Sequence, residues 1–385
     1  MKMLTLNILL FFIFSTLSYG QGSGSTTYFP IAVWLQSADN AMAYKQDGGI
    51  NMYVGLWNDL DERQLNLLKG AEIKLICAQN DFGLKHKSDE TIYGWMHGDE
   101  PDNAQWNNET KTYDPCIKPK QIIDQYNKIK EKDPDHPVYL NLGQGVSYIN
   151  YIGRGECKGN TNLYKASCNG YVKGCDIASF DIYPVNNNQP DVQDKLWMVA
   201  KGIDSLRIWC NDSKPVWTWI ETTRIGEDSP RKPNPMEVKT EVWMAIIHGA
   251  KGIGYFCHSF YPESVEASLL HDPQMLVEIK KINQQITSLA TVLNGNSISN
   301  FAEVKSSNPN VPIDMLAKSQ GNNSYLFSVA MRNEPTDATF KINSGESVEV
   351  IGENRTIKIS NGQFEDHFEG YDVHLYKISG GGTTH

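Results

Sequence analysis

Two glutamates, Glu100 and Glu221, are the residues of this 385-residue chain whose surroundings point most directly to chemistry. Each follows an apolar, aromatic-rich run, residues 93–98 before Glu100 and residues 216–220 before Glu221. Core packing does not explain a carboxylate at the end of a buried strand, because burying an unpaired charge costs several kcal/mol. The two positions therefore predict a pair of carboxyl groups that act together in acid–base chemistry.

Eight short apolar runs predict the strands that position these carboxyl groups. They are residues 29–35, 50–57, 73–78, 91–99, 137–142, 177–183, 215–220 and 252–257. Segments with helical spacing lie between most of them, such as residues 61–68, 119–130 and 237–248. Strands that alternate with helices predict parallel pairing, and eight repeats predict a closed (β/α)8 TIM barrel over residues 28–295. An open doubly wound sheet is the main alternative, but no glycine-rich nucleotide-binding turn follows the first run.

The pattern changes from about residue 299, where short alternating runs are separated by Asn, Gly and Ser. This change predicts a small antiparallel domain of β-sandwich type over residues 296–379, with a flexible tail at 380–385. The domain contains no Trp, because all nine lie between Trp34 and Trp243. A structural cap on the barrel is therefore favoured over a sugar-binding module.

The amino terminus has the features of an export signal. Lys2 gives a short basic start, residues 8–14 form an apolar segment, and residues 18–20 offer a small-residue cleavage site. We expect a signal peptide at 1–20, a flexible linker at 21–27 and a secreted or periplasmic monomer. The apolar segment is too short to span a membrane. A net charge of −10 argues against nucleic acid and anionic membrane surfaces as partners.

Seven cysteines in an exported chain permit disulfides but leave one cysteine unpaired. Cys77 and Cys257 lie in strand-like runs, so buried free thiols are expected there. The remaining five lie in loop-like sequence without the spacing of a zinc site, and they are Cys116, Cys157, Cys168, Cys175 and Cys210. Cys175 precedes strand six and Cys210 lies shortly before strand seven. Because adjacent strands begin near one another, we predict a Cys175–Cys210 bridge.

The active site of a (β/α)8 barrel lies at the carboxyl ends of its strands. We expect Glu100 to end strand four and Glu221 to end strand seven, so that their carboxyl groups meet over the barrel mouth. Cleavage of a glycosidic bond uses such a pair: one group protonates the leaving oxygen, and the other attacks the anomeric carbon or activates water. The two carboxyl groups lie about 5–5.5 Å apart for retention and about 6.5–9.5 Å apart for inversion.

On these residues the chain resembles the retaining glycoside hydrolases of the large (β/α)8 superfamily called clan A. Glu100-Pro101 is similar to that superfamily's acid/base segment, usually Asn-Glu-Pro, and residues 219–222 (Trp-Ile-Glu-Thr) are similar to its nucleophile segment. The resemblance covers the barrel only. It implies hydrolysis of a β-linked oligo- or polysaccharide through a covalent glycosyl-enzyme intermediate, with Glu221 as nucleophile and Glu100 as acid/base. An inverting hydrolase with the same carboxylates, or a non-catalytic glycan-binding barrel, is the alternative.

The sequence departs from the superfamily pattern at two places. Asp99 stands where the superfamily usually has an Asn that contacts the sugar 2-hydroxyl. A second carboxylate beside Glu100 would raise the pKa of one of the two groups. The Trp that commonly ends strand eight is also missing, which leaves His258 or a neighbouring aromatic residue to contact the sugar.

Further candidates lie at the predicted strand ends. Tyr183 closes strand six, where it either donates a hydrogen bond to Glu221 or only packs on its neighbour. The candidates for sugar-hydroxyl contacts are Asn80, Asp81, Asn141 and Asp181, and those for stacking on sugar rings are Trp34, Trp57 and Trp106, each with a purely structural role as the alternative. Trp106 is the strongest stacking candidate because it lies in the long polar loop after Glu100. No metal-ligand spacing is present, so we expect no metal and no other cofactor.

Overall fold

The structure, a computed structural model, describes residues 27–379. The expected signal peptide at 1–20, residues 21–26 of the linker expected at 21–27, and the tail at 380–385 lie outside the described residues. In the part of the chain that is described, no helix is both long enough and apolar enough to cross a membrane.

Eight parallel strands close into a barrel at the residues where the sequence predicts strands. They are β1 (Ile31–Trp34), β2 (Met52–Val54), β3 (Lys74–Cys77), β4 (Ile92–Met96), β5 (Val138–Leu142), β6 (Ile177–Asp181), β7 (Val216–Glu221) and β8 (Gly252–Phe256). Each strand is paired with its neighbours in the chain, and β8 closes the ring on β1. The prediction of a TIM barrel is confirmed.

Helices cover the outside of this barrel. The numbered helices are α1 (Glu62–Gly70), α2 (Asp81–Lys85), α3 (Pro119–Lys132), α4 (Thr161–Tyr164), α5 (Trp197–Trp209), α6 (Pro235–Ile247) and α7 (Pro273–Asn294). Further helical turns of three to five residues occupy Ala38–Asn40, Ala41–Ala43, Tyr44–Gly48, Gln144–Val146, Arg154–Glu156, Ala166–Cys168, Tyr171–Gly174 and Ser268–His271. The sequence fixes where two helices start, because Asp61 and Asn234 form capping boxes at the amino ends of α1 and α6.

The barrel interior is filled by large aromatic side chains set against glycines. Trp217 and Trp219 of β7 point inward beside Gly252 and Gly254 of β8. A Cβ atom on Gly254 would lie 2.0 Å from the Trp219 ring, so only glycine fits there. The Trp219 indole N–H donates to the Tyr139 hydroxyl at 2.8 Å, which satisfies its polar atom in the interior. The floor beneath the barrel mouth is therefore closely packed.

The carboxyl-terminal domain is built from two antiparallel sheets. Its strands are β9 (Ala302–Ser306), β10 (Ile313–Gln320), β11 (Asn323–Ala330), β12 (Thr336–Ile342), β13 (Ser347–Val350), β14 (Arg355–Lys358), β15 (Gln363–Phe368) and β16 (Val373–Ser379). One sheet has the order β9-β12-β15 and the other the order β10-β11-β16-β13-β14. Phe340 and Phe364 of the smaller sheet meet Tyr376 of the larger sheet at ring distances of 5.4 and 5.2 Å. The expected antiparallel β domain is thus present, as a two-sheet sandwich.

The β domain packs closely against the barrel helices. Trp243 of α6 lies 5.5 Å from the ring of Phe327 on β11, and both are fully buried. The Thr240 hydroxyl donates to the Tyr371 carbonyl at 2.7 Å, and the Tyr371 hydroxyl donates to the Asp194 carbonyl at 2.9 Å. One face of the larger sheet therefore continues the core around the barrel.

One disulfide joins Cys116 to Cys157, with their Cα atoms 5.9 Å apart. It links the loop after β4 to the loop after β5. Cys77 and Cys257 are buried free thiols, as the sequence predicts.

The predicted bridge between Cys175 and Cys210 is wrong, because both are buried free thiols. The Cys175 thiol instead donates to the Val172 carbonyl of its own segment at 3.5 Å. The Lys214 ammonium donates to the carbonyls of Val172 and Cys175. Hydrogen bonds from a lysine therefore join these two strand starts, where the sequence predicts a covalent link.

Candidate active site

A cleft of about 470 Å³ opens at the carboxyl ends of the barrel strands. Three carboxyl groups line it, those of Asp99, Glu100 and Asp181. The same cleft is lined by rings from Trp34, Trp57, Tyr183, Phe256, His258 and Phe260. Carboxyl groups beside flat apolar rings are typical of sites that hold and cleave sugars.

The turn after β4 brings Glu100 into the cleft. The strand ends at Met96, earlier than predicted, and Glu100 has a φ of 40°, in the left-handed region that few non-glycine residues adopt. Its Oε2 accepts a hydrogen bond from Arg154 Nη2 at 2.6 Å and another from Asn103 Nδ2 at 3.1 Å. These contacts hold the carboxyl group in one orientation.

A glycine and a buried aspartate support Glu100 from behind. A Cβ atom on Gly143 would lie 2.8 Å from Glu100 Oε1, so the carboxyl group uses the space that glycine leaves. The Gly143 N–H donates to Asp102 Oδ1 at 2.9 Å, and the Tyr164 hydroxyl donates to Asp102 Oδ2 at 3.0 Å. Burial, and then the charge of Glu100, raises the pKa of Asp102 to about 6.

Asn141 of β5 joins the other two cleft carboxyl groups from below. Its Nδ2 donates to Asp99 Oδ1 at 3.0 Å and to Asp181 Oδ1 at 3.4 Å. The side-chain amide oxygen of Asn141, Oδ1, is buried and has no hydrogen-bond partner among the described residues. Burial, followed by the charge of Glu100, raises the pKa of Asp99 to about 7.

Asp181, the last residue of β6, lines the cleft beside Glu100 and Tyr183 and interacts electrostatically with both. Neighbouring carboxylates repel each other, which favours the protonated form of Asp181. Burial, and then the charges of Glu100 and Asp99, raises the pKa of Asp181 well above its usual range. Tyr183 interacts electrostatically with Asp181, and the predicted hydrogen bond from Tyr183 to Glu221 does not occur among the described residues.

Glu221 ends β7 as predicted but does not line the cleft. It is fully buried, and Oε1 accepts from the Val185 N–H at 2.7 Å. Its Oε2 accepts from the Asn186 N–H at 2.8 Å and from Asn186 Nδ2 at 2.5 Å. Asn186 itself lines the cleft, so the segment after β6 lies between Glu221 and the cleft. The expected meeting of Glu221 and Glu100 over the barrel mouth is not what the structure shows.

Glu221 instead interacts electrostatically with a second buried carboxyl group, that of Glu241 on α6. Both Glu241 oxygens are buried and have no donor partner in the described part of the chain. Burial raises the pKa of Glu221 to about 7, although its three N–H donors act in the opposite direction. Burial and the neighbouring Glu221 also raise the pKa of Glu241. One proton shared by the two groups removes the repulsion between them.

Five of the predicted sugar-contacting residues line the cleft, namely Trp34, Trp57, Asp99, Asp181 and His258. Trp57 is 50% exposed, and its ring stands edge-on to that of His258 at 5.4 Å. Trp34 is 6% exposed and packs edge-on against Trp219. Trp57 is thus free to stack on a ligand, whereas Trp34 forms part of the cleft floor.

The other four predicted contacts, Asn80, Asp81, Asn141 and Trp106, do not line the cleft. Asn80 caps α2, because its Oδ1 accepts from the Gly83 N–H at 2.7 Å, and Asp81 is the first residue of that helix. Trp106 lies in a hairpin formed by Trp106–Asn107 and Thr112–Tyr113, where its ring is 5.2 Å from that of Tyr113. Asn141 lies beneath the cleft and donates hydrogen bonds to Asp99 and Asp181, which line it.

Sequence reasoning missed the three polar residues that hold the carboxyl groups in place, Asn103, Arg154 and Asn186. Each lies in a loop without periodic patterning. The only sequence signal for Arg154 is its place between two glycines in the long segment after β5. Within residues 27–379, no group of three or more His, Cys, Asp or Glu side chains is arranged to hold a metal ion.

Known protein structures share this architecture at low sequence identity. A catalytic mutant of Gan42B, a GH42 β-galactosidase from G. stearothermophilus, superposes with a TM-score of 0.57 at 8% identity, covering 92% of this chain and 98% of that one. AmyP in complex with maltose gives 0.54 at 9%, covering 92% and 96%. The α-amylase of Geobacillus thermoleovorans in complex with acarbose gives 0.51 at 10%, covering 92% and 98%.

The chain has the fold of these glycoside hydrolases. Because 92% of the chain is covered, the likeness includes the β domain as well as the barrel. No protein-family model matches the chain, and no curated protein matches it by sequence.

Proposed function

We propose that this protein is a glycoside hydrolase that cleaves a β-linked oligo- or polysaccharide. The observation that carries the proposal is the group of three carboxyl side chains, Asp99, Glu100 and Asp181, at the mouth of a barrel cleft beside exposed aromatic rings. The shared fold with a GH42 β-galactosidase, with AmyP and with an α-amylase is compatible with this chemistry. The sugar-facing ring is that of Trp57, which is half exposed in the cleft.

Glu100 is the proposed acid/base. Glycosidic cleavage uses one protonated and one ionised carboxyl group, and a pair that shares one proton has this composition before substrate arrives. Burial and the charge of Glu100 raise the pKa of Asp181, so Asp181 brings one proton to this pair. Transfer of that proton to Glu100 leaves Asp181 ionised; Glu100 then protonates the leaving oxygen and later removes a proton from the water that completes hydrolysis.

Asp181 is the proposed second carboxylate, because it lines the same cleft as Glu100 and interacts with it electrostatically. Its carboxylate would attack the anomeric carbon to give a covalent glycosyl intermediate with retention. The nucleophile role of Glu221, which rests on the resemblance, stays a prediction. It would require Val185 and Asn186 to release both carboxylate oxygens.

A screen of soluble β-linked polysaccharides, with chromatography of the products, tests the activity. Glu100→Gln and Asp181→Asn are expected to lower kcat at least about a hundredfold, within the range for loss of an acid–base group. Glu227→Gln is the matched control, because Glu227 is an exposed carboxylate on the loop after β7 and does not line the cleft. Binding of a glycan without any hydrolysis would support the non-catalytic alternative.

Azide identifies the nucleophile, because a small anion occupies the space of a deleted carboxylate and forms a glycosyl azide. We expect this product from Asp181→Gly and not from Glu221→Gly. The reverse result would make Glu221 the nucleophile and would imply that the segment after β6 moves. NMR of the first-formed anomer separates retention from inversion, since a direct attack by water inverts the anomeric centre.

We also propose that the protein is exported. The Cys116–Cys157 disulfide supports an oxidising compartment, in agreement with the expected signal peptide. The first residue of the mature protein, as identified by amino-terminal sequencing, is expected to be Gln21. A monomer remains the expectation for its assembly, and light scattering measures it directly.

A further inference from the structure

A second cavity lies at the opposite end of the barrel from the cleft, where the amino ends of β7 and β8 meet the β domain. Its volume is about 340 Å³, within the range of small-molecule sites. Four cationic side chains line it: Arg207 from α5, Lys214 from just before β7, Lys251 from just before β8, and Lys318 from β10. Cations from both domains therefore converge on one space, although the whole chain carries a net charge of −10.

The two lysines nearest the domain boundary are not neutralised by protein groups. Lys318 is only 3% exposed, and its ammonium donates to the Gly295 carbonyl at 2.6 Å, which uses one of three N–H donors. No hydrogen bond or ion pair of the Lys251 ammonium appears among the described contacts. Burial, and then the charge of Lys251, lowers the pKa of Lys318 to about 8. The two ammonium groups thus repel each other across the cavity.

The acidic residues near the cavity do not balance this charge. Asp212 is the one carboxylate among the described residues that line it, and Asp212 Oδ1 accepts from Arg207 Nε at 2.8 Å. Asp204 and Asp314 both contact His248, whose imidazolium balances one of their two negative charges. The four cations and one carboxylate that line the cavity leave an excess of three positive charges when all are ionised, and the group of His248 with its two aspartates reduces this excess to two.

We propose that this cavity binds a phosphate oxyanion, either free phosphate or the phosphoryl group of a sugar phosphate. Like charges held together at a partly buried site are unfavourable until an anion joins them. Lys251 and Lys318 have unused N–H donors, and so do Lys214 and Arg207 beyond those that bind the Val172, Cys175 and His248 carbonyls and Asp212. Donors from four different chain segments suit a tetrahedral oxyanion better than a planar carboxylate with two oxygens. The bound anion would link Lys318 of the β domain to Lys251 and Arg207 of the barrel.

Calorimetric titration of the full mature protein with inorganic phosphate tests this site, with the ionic strength held constant by chloride. We expect saturable binding of one phosphate and a higher thermal midpoint than in chloride alone. Lys251→Gln is expected to weaken phosphate binding at least about tenfold, the effect of losing one charge-assisted contact. Lys341→Gln is the matched control, because Lys341 is an exposed lysine of the β domain that does not line the cavity.

A parallel titration with glucose 6-phosphate separates the two sources. Tighter binding of the sugar phosphate identifies a phosphorylated sugar as the ligand, and equal or weaker binding identifies free phosphate. The proposal is overturned if phosphate has no more effect than chloride, or if Lys251→Gln and Lys341→Gln weaken binding equally. None of these measurements depends on hydrolytic activity, so the outcome is separate from that of the proposed function.

Discussion

At the scale of single residues, the position of the Glu100 carboxyl group depends on Gly143, which has no side chain. Glu100 occupies the left-handed region of backbone space, and its carboxyl group rests where Gly143 has no Cβ atom. Arg154 and Asn103 then hold Oε2 from the other side. The proposed acid/base group, placed by such close packing, is sensitive to shifts of less than an ångström.

Gly143→Ala is therefore expected to displace Glu100, because the new methyl group would lie 2.8 Å from Oε1. We expect kcat to fall about tenfold or more, the scale of a misplaced catalytic group. Gly98→Ala is the matched control, since a Cβ atom there meets no atom within 4 Å. Steady-state kinetics on the screened substrate compares the two variants. Equal activity of both would show that the contact with Gly143 does not position Glu100.

The half-buried carboxyl group of Asp99 makes stability depend on pH. Its folded-state pKa is about 7, whereas an unfolded Asp has a pKa of about 3.9. Between these values the folded protein keeps a proton that the unfolded chain has released, so the free energy of unfolding falls as pH rises. The full shift corresponds to at most about 4 kcal/mol.

Asp99→Asn is expected to reduce the fall of the unfolding free energy with rising pH, because an amide does not ionise. Urea unfolding between about pH 4 and pH 8 measures it, and Asp228→Asn, at an exposed position, is the control. Part of the slope of the unfolding free energy against pH should persist, since Asp102 and Asp181 also have raised pKa values. An unchanged slope in Asp99→Asn would contradict the assignment of the buried proton to this residue.

At the scale of elements, the cleft is built by the loops after β4 and β5, which are joined to each other. The Cys116–Cys157 disulfide links them covalently. The Arg154 N–H donates to Asn103 Oδ1 at 2.8 Å, and the Gly153 N–H donates to the Cys157 carbonyl at 2.7 Å. The disulfide therefore holds the segment that carries Arg154 against the segment that carries Glu100.

Replacing both cysteines, Cys116→Ser with Cys157→Ser, is expected to lower stability and activity together. The closed loop spans 41 residues, for which the chain-entropy model gives about 3–4 kcal/mol. Activity should fall because Arg154 loses its fixed position beside Glu100. Cys168→Ser is the control, since Cys168 is an exposed free thiol. Full activity in the double variant would show that hydrogen bonds alone hold the two loops.

At the scale of the whole molecule, the barrel and the β domain share a core. Trp243 of α6 and Phe327 of β11 are both fully buried at their interface. Two units that bury large aromatic side chains against each other are expected to unfold together. Such behaviour agrees with a β domain that stabilises the barrel as a structural cap, the role that its lack of Trp favours over sugar binding.

Phe327→Ala tests this coupling, because deletion of a buried Phe costs about 3–5 kcal/mol. All nine Trp residues lie between Trp34 and Trp243, so Trp fluorescence reports on the barrel while the substitution lies in the β domain. We expect one urea transition by fluorescence and by circular dichroism, with the midpoint lowered in both signals. A fluorescence midpoint that does not move would show that the two domains unfold independently.

The sequence by itself determined the architecture of this protein. All eight barrel strands occur where apolar runs predict them, because the alternation of strands and helices is a local property of the chain. The capping residues likewise fixed the starts of α1 and α6. Asp99, Glu100 and Asp181 reached the cleft because polar residues at strand ends are carried to the barrel mouth by the fold itself.

Only the tertiary structure decided which of these groups meet. The left-handed turn at Glu100 and the segment that covers Glu221 are set by loop paths, which have no periodic pattern to read. Arg154 reaches Glu100 across 54 residues of sequence, and Cys116 pairs with Cys157 across 41. Such contacts depend on where long loops return in space. The periodicity that reveals strands and helices therefore says nothing about the partners of a loop residue.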